Sequence, residues 1–243
     1  MTGQMLKWIA VIAMVLDHIG VVCIGSLLEP IPDLSLYSLY TAAVSGSGQQ
    51  AFLCWTALIF RAIGRIAFPI FCFLLTEGFC HTKSIKKYMG RMAFFALISE
   101  IPFDLAIYKT LLYPYHQNVF FTLLIGLAVL YGMKEADLRY LTPSYSFFLK
   151  TVIVFASCLT GFLFYTDYGF YGVLFIVLLY ILRTNKVWQT VFGVLMAQFE
   201  YTAIFAFLPI WFYNGKPGKS QSRYFFYWFY PVHLLVLGAI RLI

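Results

Sequence analysis

The sequence predicts an all-α polytopic membrane protein, and three features predict it. Of the 243 residues, 62% are hydrophobic and only 11% are charged, whereas roughly 25% of the residues in a soluble domain are charged. The mean hydropathy is +0.82, so there is more apolar surface than one soluble core can hide. Apolar runs near the length of a membrane-crossing helix, about 20 residues, recur along the chain. We therefore expect residues 1–243 to form one domain, a single bundle of about nine transmembrane helices, with eight to ten as the range.

The apolar runs give the predicted helices in chain order. The first span covers residues 5–28, and the weakly amphipathic segment 34–50 is expected to lie at the membrane surface as a helix or loop. Further spans are predicted at 51–79, 92–108, 119–133, 147–165, 170–182, 187–199, 201–213 and 224–242. Pro69 and Pro102 are expected to bend or break the spans that contain them. Residues 187–213 cross either once or twice, because each half is short for a full crossing.

Basic residues set the predicted orientation. If Lys7 is cytoplasmic and the spans alternate, most lysines and arginines of the loops also fall on the cytoplasmic side, including Lys219 and Arg223, while Lys109 and Arg241 fall outside. We therefore expect a cytoplasmic N-terminus. The net charge of +7 is explained by these loops and requires no nucleic-acid partner.

Motifs for several common chemistries are missing from the sequence. There is no Walker loop, no G-x-S-x-G and no H-E-x-x-H, and the five cysteines have no metal-ligand spacing. We expect no metal site. The candidates for function are instead ionisable residues inside apolar spans, where a charge costs about 2.5–3.5 kcal/mol. They are Asp17, His18, Arg61, Arg65, Glu77, Glu100, Asp104 and Glu200.

The first span carries an acid and an imidazole side by side. A neutral imidazole can remove a proton from a nucleophile, so His18 is a candidate general base, although a helix-packing role is the plainer alternative. Adjacent helix residues diverge by about 100°, so Asp17 is expected to pair with an arginine of another helix. Lys7 lies eleven residues before His18, which places both on nearly the same face, about 16 Å apart.

Two arginines in the second span face the same way, because Arg61 and Arg65 are four residues apart. One is expected to pair with Asp17 or Glu100, leaving the other for an anionic ligand. Glu100 and Asp104, also four apart, either bind an amine or form ion pairs with these arginines.

Further polar residues are predicted near the outer side of the membrane. Asn118 is expected to cap the helix that begins after it, and the turn 166–169, which contains Tyr168, is expected on the same side. His233 lies two residues after Pro231 in the last span.

The ordered motifs DHIG, RAIGRIAFPIFCFLLTEGFCHT, YMGRMAFFALISEIPFDLA, QNVFFTL, DYGFYGVL and FYPVHLL strongly resemble the TraX family, named after an F-pilin acetylase. The resemblance extends over most of the chain. The family is similar to a wider group of transmembrane acyltransferases, which have a basic residue eleven positions before a histidine in the first span. Lys7 and His18 match that spacing, with lysine where many of those proteins have arginine.

The resemblance implies acetyl transfer from cytoplasmic acetyl-CoA, as co-substrate, to an acceptor on the outer side of a bacterial inner membrane. It implies His18 and Asp17 as the catalytic pair, and a cofactor-binding set of Lys7, Arg61, Arg65 and His233. The acceptor, a protein N-terminus or a glycan, is then expected near Glu100, Asp104, Asn118 and Tyr168. The oligomeric state is left open.

Two other classes of function fit buried ionisable residues. A proton-coupled transporter also needs buried Asp, His, Glu and Arg, and it predicts solute uptake into vesicles without acetyl-CoA. A non-catalytic membrane scaffold predicts that neutralising His18 alters assembly but no turnover.

Overall fold

The computed structural model describes residues 1–28, 34–139, 142–218 and 224–242, and within these ranges all regular structure is helical. The predicted cytoplasmic residues Lys219 and Arg223 lie outside them. The α-helices of at least five residues are α1 Gly3–His18, α2 Leu36–Ser45, α3 Gly48–Gly64, α4 Ala67–His81, α5 Ile85–Tyr108, α6 Val119–Arg139, α7 Pro143–Leu163, α8 Gly169–Ile181, α9 Lys186–Ala197, α10 Phe207–Trp211 and α11 Phe225–Leu242.

Five helical segments of the described residues are long and apolar enough to cross a bilayer. They are Gly3–Leu27, Gly48–His81, Val119–Arg139, Pro143–Leu163 and Phe225–Leu242. Large apolar side chains stay exposed on them, such as Phe147 and Phe155, each 71% exposed, as expected for lipid-facing surfaces. The all-α class of the prediction is thereby confirmed for the described residues, with five segments whose length and composition would allow them to cross a membrane. The number of about nine spans and the cytoplasmic N-terminus stay predictions.

The first span changes its helix type directly after His18. Thr2 caps α1 by accepting a hydrogen bond from the Met5 amide. Residues Ile19–Ile24 then form a π-helix, in which the Gly25 amide donates to the Gly20 carbonyl, and a short helix Gly25–Leu27 ends the segment. π-helical turns inside α-helices are rare and occur often at functional sites.

Both proline predictions need correction. The break in the second span lies at Arg65 and Ile66, between α3 and α4, and Pro69 sits in the first turn of α4. A proline there costs nothing, because the first-turn amides have no helical partner. Helix α5 continues through Pro102 from Ile85 to Tyr108. It also begins at Ile85, seven residues before the predicted start of that span at residue 92.

The segment after α9 is irregular. A 3-10 helix, Gln198–Ala206, joins α9 to α10, and its backbone leaves helical geometry at Glu200 and Tyr201, where Tyr201 has a φ of 47°. The predicted division of residues 187–213 near Glu200 is therefore present as a sharp kink.

The described residues fall into two compact units. The first contains residues of Met1–Phe71, Ile101–Leu111 and Ala197–Ile243, and the second contains residues of Cys72–Glu100 and Leu112–Met196. In the first unit, α2 packs on α3 around buried Leu39, Cys54 and Ala57. In the second, α6, α7 and α8 pack together, and Gly126 of α6 allows close approach of the Ile176 side chain. The prediction of a single domain stays a prediction.

Candidate functional site: a pair of histidines within the helices

Two histidines from opposite ends of the chain meet in the first unit. Nδ1 of His18, at the end of α1, lies 2.7 Å from Nε2 of His233, on α11. The two rings are nearly parallel, with centroids 5.0 Å apart and planes at 25°. Both side chains are half-buried. His233, which had been expected only to bind a cofactor, is therefore a direct partner of the candidate base.

The hydrogen bonds of this pair define which ring nitrogens carry protons. Nδ1 of His233 lies 2.9 Å from the Phe229 carbonyl, and a carbonyl only accepts, so Nδ1 of a neutral His233 is the donor. Its Nε2 then has a lone pair and accepts from Nδ1–H of His18. The Nε2 atom of a neutral His18 is left with a lone pair, the state that a base or nucleophile requires.

Asp17 pairs with Arg61 across helices, as predicted. Nη1 of Arg61 lies 3.0 Å from Oδ1 and 3.1 Å from Oδ2 of Asp17, and the two side chains are only 14% and 18% exposed. Arg61 also donates from Nε to the Leu34 carbonyl at 3.1 Å. One guanidinium thus joins α3 to α1 and to the chain just before α2.

Arg65 also has an acidic partner, although the sequence had left one of the two arginines for an anionic ligand; anion binding by either arginine stays a prediction. Nε of Arg65 lies 3.0 Å from Oε2 of Glu200, the residue at the kink after α9. Beside it, Thr202 donates a hydrogen bond to the Ala62 carbonyl at 2.8 Å. The kinked segment is therefore attached to the end of α3 by side chains, and both arginines have structural partners.

Gly64 allows the close approach that the Asp17–Arg61 pair requires. A Cβ atom built on Gly64 would lie 2.2 Å from Cβ of Asp17 and 2.6 Å from its Oδ1. We expect Gly64→Ala to lower the free energy of unfolding by about 1–3 kcal/mol, because the added methyl overpacks this contact. The measurement is thermal or denaturant unfolding in detergent.

Gly90→Ala is the matched control for that substitution. Gly90 is also helical, in α5, and has nothing within 4 Å of an added Cβ. Alanine there is expected to be neutral or to stabilise by up to about 1 kcal/mol through helix propensity. If Gly64→Ala were as stable as Gly90→Ala, the close approach would have no energetic importance.

The remaining ionisable candidates of the first unit lie at other places. Lys7 is exposed, on the same helix as His18, with Nζ 5.6 Å from the centre of the Phe226 ring of α11. Asp104 is buried near the end of α5, with 1% exposure. Arg241 caps that helix end, since its Nη1 donates to the Ala106 and Ile107 carbonyls at 2.6 and 2.8 Å.

Glu100 and Asn118 form a separate cluster in the second unit. The fully buried Asn118 caps α6, as predicted, by accepting from the Phe120 amide at 3.0 Å. Its side-chain amide donates to the Ala96 carbonyl at 2.8 Å and to Oε2 of Glu100. The backbone amide of Tyr168 donates to the Thr122 hydroxyl at 3.4 Å. An acceptor-binding role for Glu100, Asp104, Asn118 and Tyr168 stays a prediction.

Two pairings in the first unit could not be found from the sequence. The partner of His18 lies 215 residues away, and the only signal was that His233 is itself a histidine inside an apolar run. The pairing of Glu200 with Arg65 had the same kind of signal, an acid between two short apolar runs. Within the described residues, no group of three or more His, Cys, Asp or Glu side chains is placed to bind a metal.

Comparisons with known proteins agree with the resemblance noted in the sequence. A family model described as "TraX protein" matches residues 2–241. A relative from Dichelobacter nodosus, named "Probable fimbrial assembly protein FimC, serogroup H1", is 31% identical, and the match covers 98% of this chain and 94% of the relative. No solved structure matches.

Proposed function

This chain belongs to the TraX family, and from that premise we propose that it is a membrane-embedded acetyltransferase. It moves an acetyl group from cytoplasmic acetyl-CoA to an amine or hydroxyl acceptor on the outer side of a bacterial inner membrane. The relative named as a fimbrial assembly protein supports an acceptor in a surface fibre, with the N-terminus of a pilin subunit as the leading candidate. A glycan is the other acceptor class with a suitable nucleophile.

One observation carries the proposal, the hydrogen-bonded His18 ring inside a long apolar helical segment. An ionisable side chain in such a segment is costly, so its presence there makes it a candidate for function. The neighbouring acid, Asp17, is held by Arg61 at 3.0 Å and does not compete for the ring. The His18 ring therefore has an imidazole as its hydrogen-bonding partner and a lone pair on Nε2.

The proposed reaction uses that lone pair to move one proton. Nε2 of His18 takes a proton from the acceptor nitrogen or oxygen as this atom bonds to the acetyl carbonyl carbon. The carbon–sulfur bond of acetyl-CoA breaks, and the leaving CoA thiolate receives the proton from Nε2. The products are the acetylated acceptor and CoA, and the histidine returns to its starting state.

Lys7 is the proposed contact for the phosphates of CoA. It is exposed on α1, and its position eleven residues before His18 places it about 16 Å away along the same helix. Since Arg61 and Arg65 are each paired with an acid, we assign them to holding α1 and the kinked segment in place. Binding of CoA by these two arginines is not part of the proposal.

The test is acetyl transfer by purified protein in lipid nanodiscs. Acetyl-CoA carrying a labelled acetyl group is incubated with pilin N-terminal peptides, simple amines and saccharides, while free CoA thiol is measured. The expected result is thiol release matched by label on one acceptor class, with empty nanodiscs as control. Thiol release no faster than in empty nanodiscs, without any shift of the melting temperature by CoA, would contradict the proposal. Solute uptake into vesicles without acetyl-CoA would instead indicate a transporter.

A further inference from the structure

We infer that His233 is a positioning residue, which fixes the tautomer of His18 so that Nε2 is the reactive nitrogen. This inference rests on the proposed acetyl transfer for its functional meaning. The tautomer itself is a property of the resting protein and can be measured without any reaction. Nothing in the sequence distinguishes this role from a cofactor contact or a packing contact.

The argument begins at the Phe229 carbonyl. This oxygen accepts a hydrogen bond from Nδ1 of His233 at 2.9 Å, four residues along the same helix, so the neutral ring carries its proton on Nδ1. A carbonyl oxygen has two lone pairs, so it can accept the side chain in addition to a backbone amide. The other nitrogen of His233, Nε2, is then an acceptor aimed at His18.

The second step is the contact between the rings. Two unprotonated nitrogens 2.7 Å apart would repel each other, whereas a donor and an acceptor at that distance form a good hydrogen bond. Nδ1 of His18 therefore carries the proton. A neutral imidazole in water favours the opposite tautomer, with the proton on Nε2. His233 thus selects the less common form, in which the lone pair is on the nitrogen away from the pair.

Aromatic neighbours hold the His233 ring in this orientation. The Phe229 ring stacks on it with centroids 5.3 Å apart and planes at 17°. The Tyr230 ring meets both histidines edge-on, at 5.6 Å from His233 and 6.1 Å from His18. A ring fixed by two neighbours and a carbonyl loses little entropy when it accepts the hydrogen bond from Nδ1–H of His18, which is how a positioning group assists an acid–base residue.

The same hydrogen bond assists the reaction after the proton moves. When Nε2 of His18 takes a proton, the ring becomes an imidazolium whose Nδ1–H already points at a lone pair of His233. The positive charge is stabilised by a charge-assisted hydrogen bond. His233 does not contact the reacting atoms, so its loss should slow the reaction without abolishing it.

The experiment reads the tautomer of His18 directly. Protein labelled with 15N at histidine is studied by NMR in nanodiscs, where protonated and unprotonated ring nitrogens resonate far apart. The chain has four histidines, and His18→Ala assigns the signal. We expect Nδ1–H with unprotonated Nε2 at His18 in the wild type. In His233→Leu we expect Nε2–H to prevail and kcat for acetyl transfer to fall roughly 10–100-fold, the effect typical of an orienting partner.

His233→Gln and His81→Gln complete the design. Glutamine offers an amide oxygen to Nδ1–H, so part of the tautomer preference and of the activity should return relative to leucine. His81 is exposed, belongs to the second unit and lies 3.7 Å from Glu77. Its replacement should leave both the His18 signal and kcat unchanged.

Each outcome supports or overturns the inference. Nε2–H at His18 in the wild type, or an unchanged tautomer in His233→Leu, would overturn it, even if activity fell. If the tautomer of His18 changes with the residue at position 233 but the protein shows no acetyl transfer, the positioning role is supported. That result would count against the proposed function instead. The two failures are therefore separable.

Discussion

Replacing His18 by alanine is expected to lower the rate of acetyl transfer by about 10²–10⁴-fold, the contribution of a well-placed general base. The substitution removes Nε2 of His18, the nitrogen whose lone pair is not used within the histidine pair, so the group placed to take the acceptor proton is lost. The measurement is release of CoA thiol in nanodiscs at saturating acetyl-CoA. A covalent acetyl-histidine route would make the loss larger, because the nucleophile itself would be missing.

The control for this prediction is His81→Ala, which removes an exposed histidine at the end of α4. It should retain the wild-type rate. His18→Ala must also elute as a monodisperse species with a melting temperature close to that of the wild type, so that lost activity is not lost folding. A folded His18→Ala protein with wild-type turnover would exclude His18 from the chemistry.

Replacing Arg61 by glutamine is expected to lower the free energy of unfolding by about 3–5 kcal/mol, the cost of leaving a buried charge without its partner. Asp17 is only 18% exposed, and its negative carboxylate would then face a neutral amide in place of the guanidinium. The Leu34 carbonyl would lose its hydrogen bond from Nε as well. Unfolding in mixed micelles, followed by circular dichroism, measures the change.

A double-mutant cycle with Asp17→Asn tests the pairing itself. The double variant should be more stable than Arg61→Gln alone, because no uncompensated charge remains. Arg139→Gln is the matched control, since Arg139 pairs with Glu135 on an open helix surface, where it is 69% exposed. That change should cost no more than about 1 kcal/mol. Additive effects of the Asp17 and Arg61 substitutions would show that the two residues do not act as a pair.

The sequence predicts a helix well where the length of an apolar run is enough to define it. Runs at 119–133, 170–182 and 224–242 correspond to α6, α8 and α11 with shifts of a few residues, except that α6 continues to Arg139. Asp17 was correctly given an arginine partner on another helix, because adjacent residues of a helix cannot share a face. This reasoning needs only local geometry and the cost of a buried charge.

Long-range pairing and the tolerance of proline could not be predicted in this way. The meeting of His18 with His233 depends on which helices pack together, and no local pattern contains that information. Pro102 removes one hydrogen bond from α5, but within a membrane protein neighbouring groups can satisfy the freed carbonyl, so the helix continues. The kink at Glu200 was visible only as an acid between two short apolar runs, without its partner Arg65.

The π-helix Ile19–Ile24 changes how the first span should be aligned with its relatives. A π turn holds roughly one residue more than an α turn, so everything after His18 is rotated and shifted relative to a regular helix. A helical wheel drawn through the whole span therefore places Cys23 and the residues after it on the wrong faces. The wide turn is also the point where the loss of one residue can be absorbed, by conversion to a regular helix. A one-residue gap between Ile19 and Ile24 in an alignment would therefore leave Lys7 and His18 in phase.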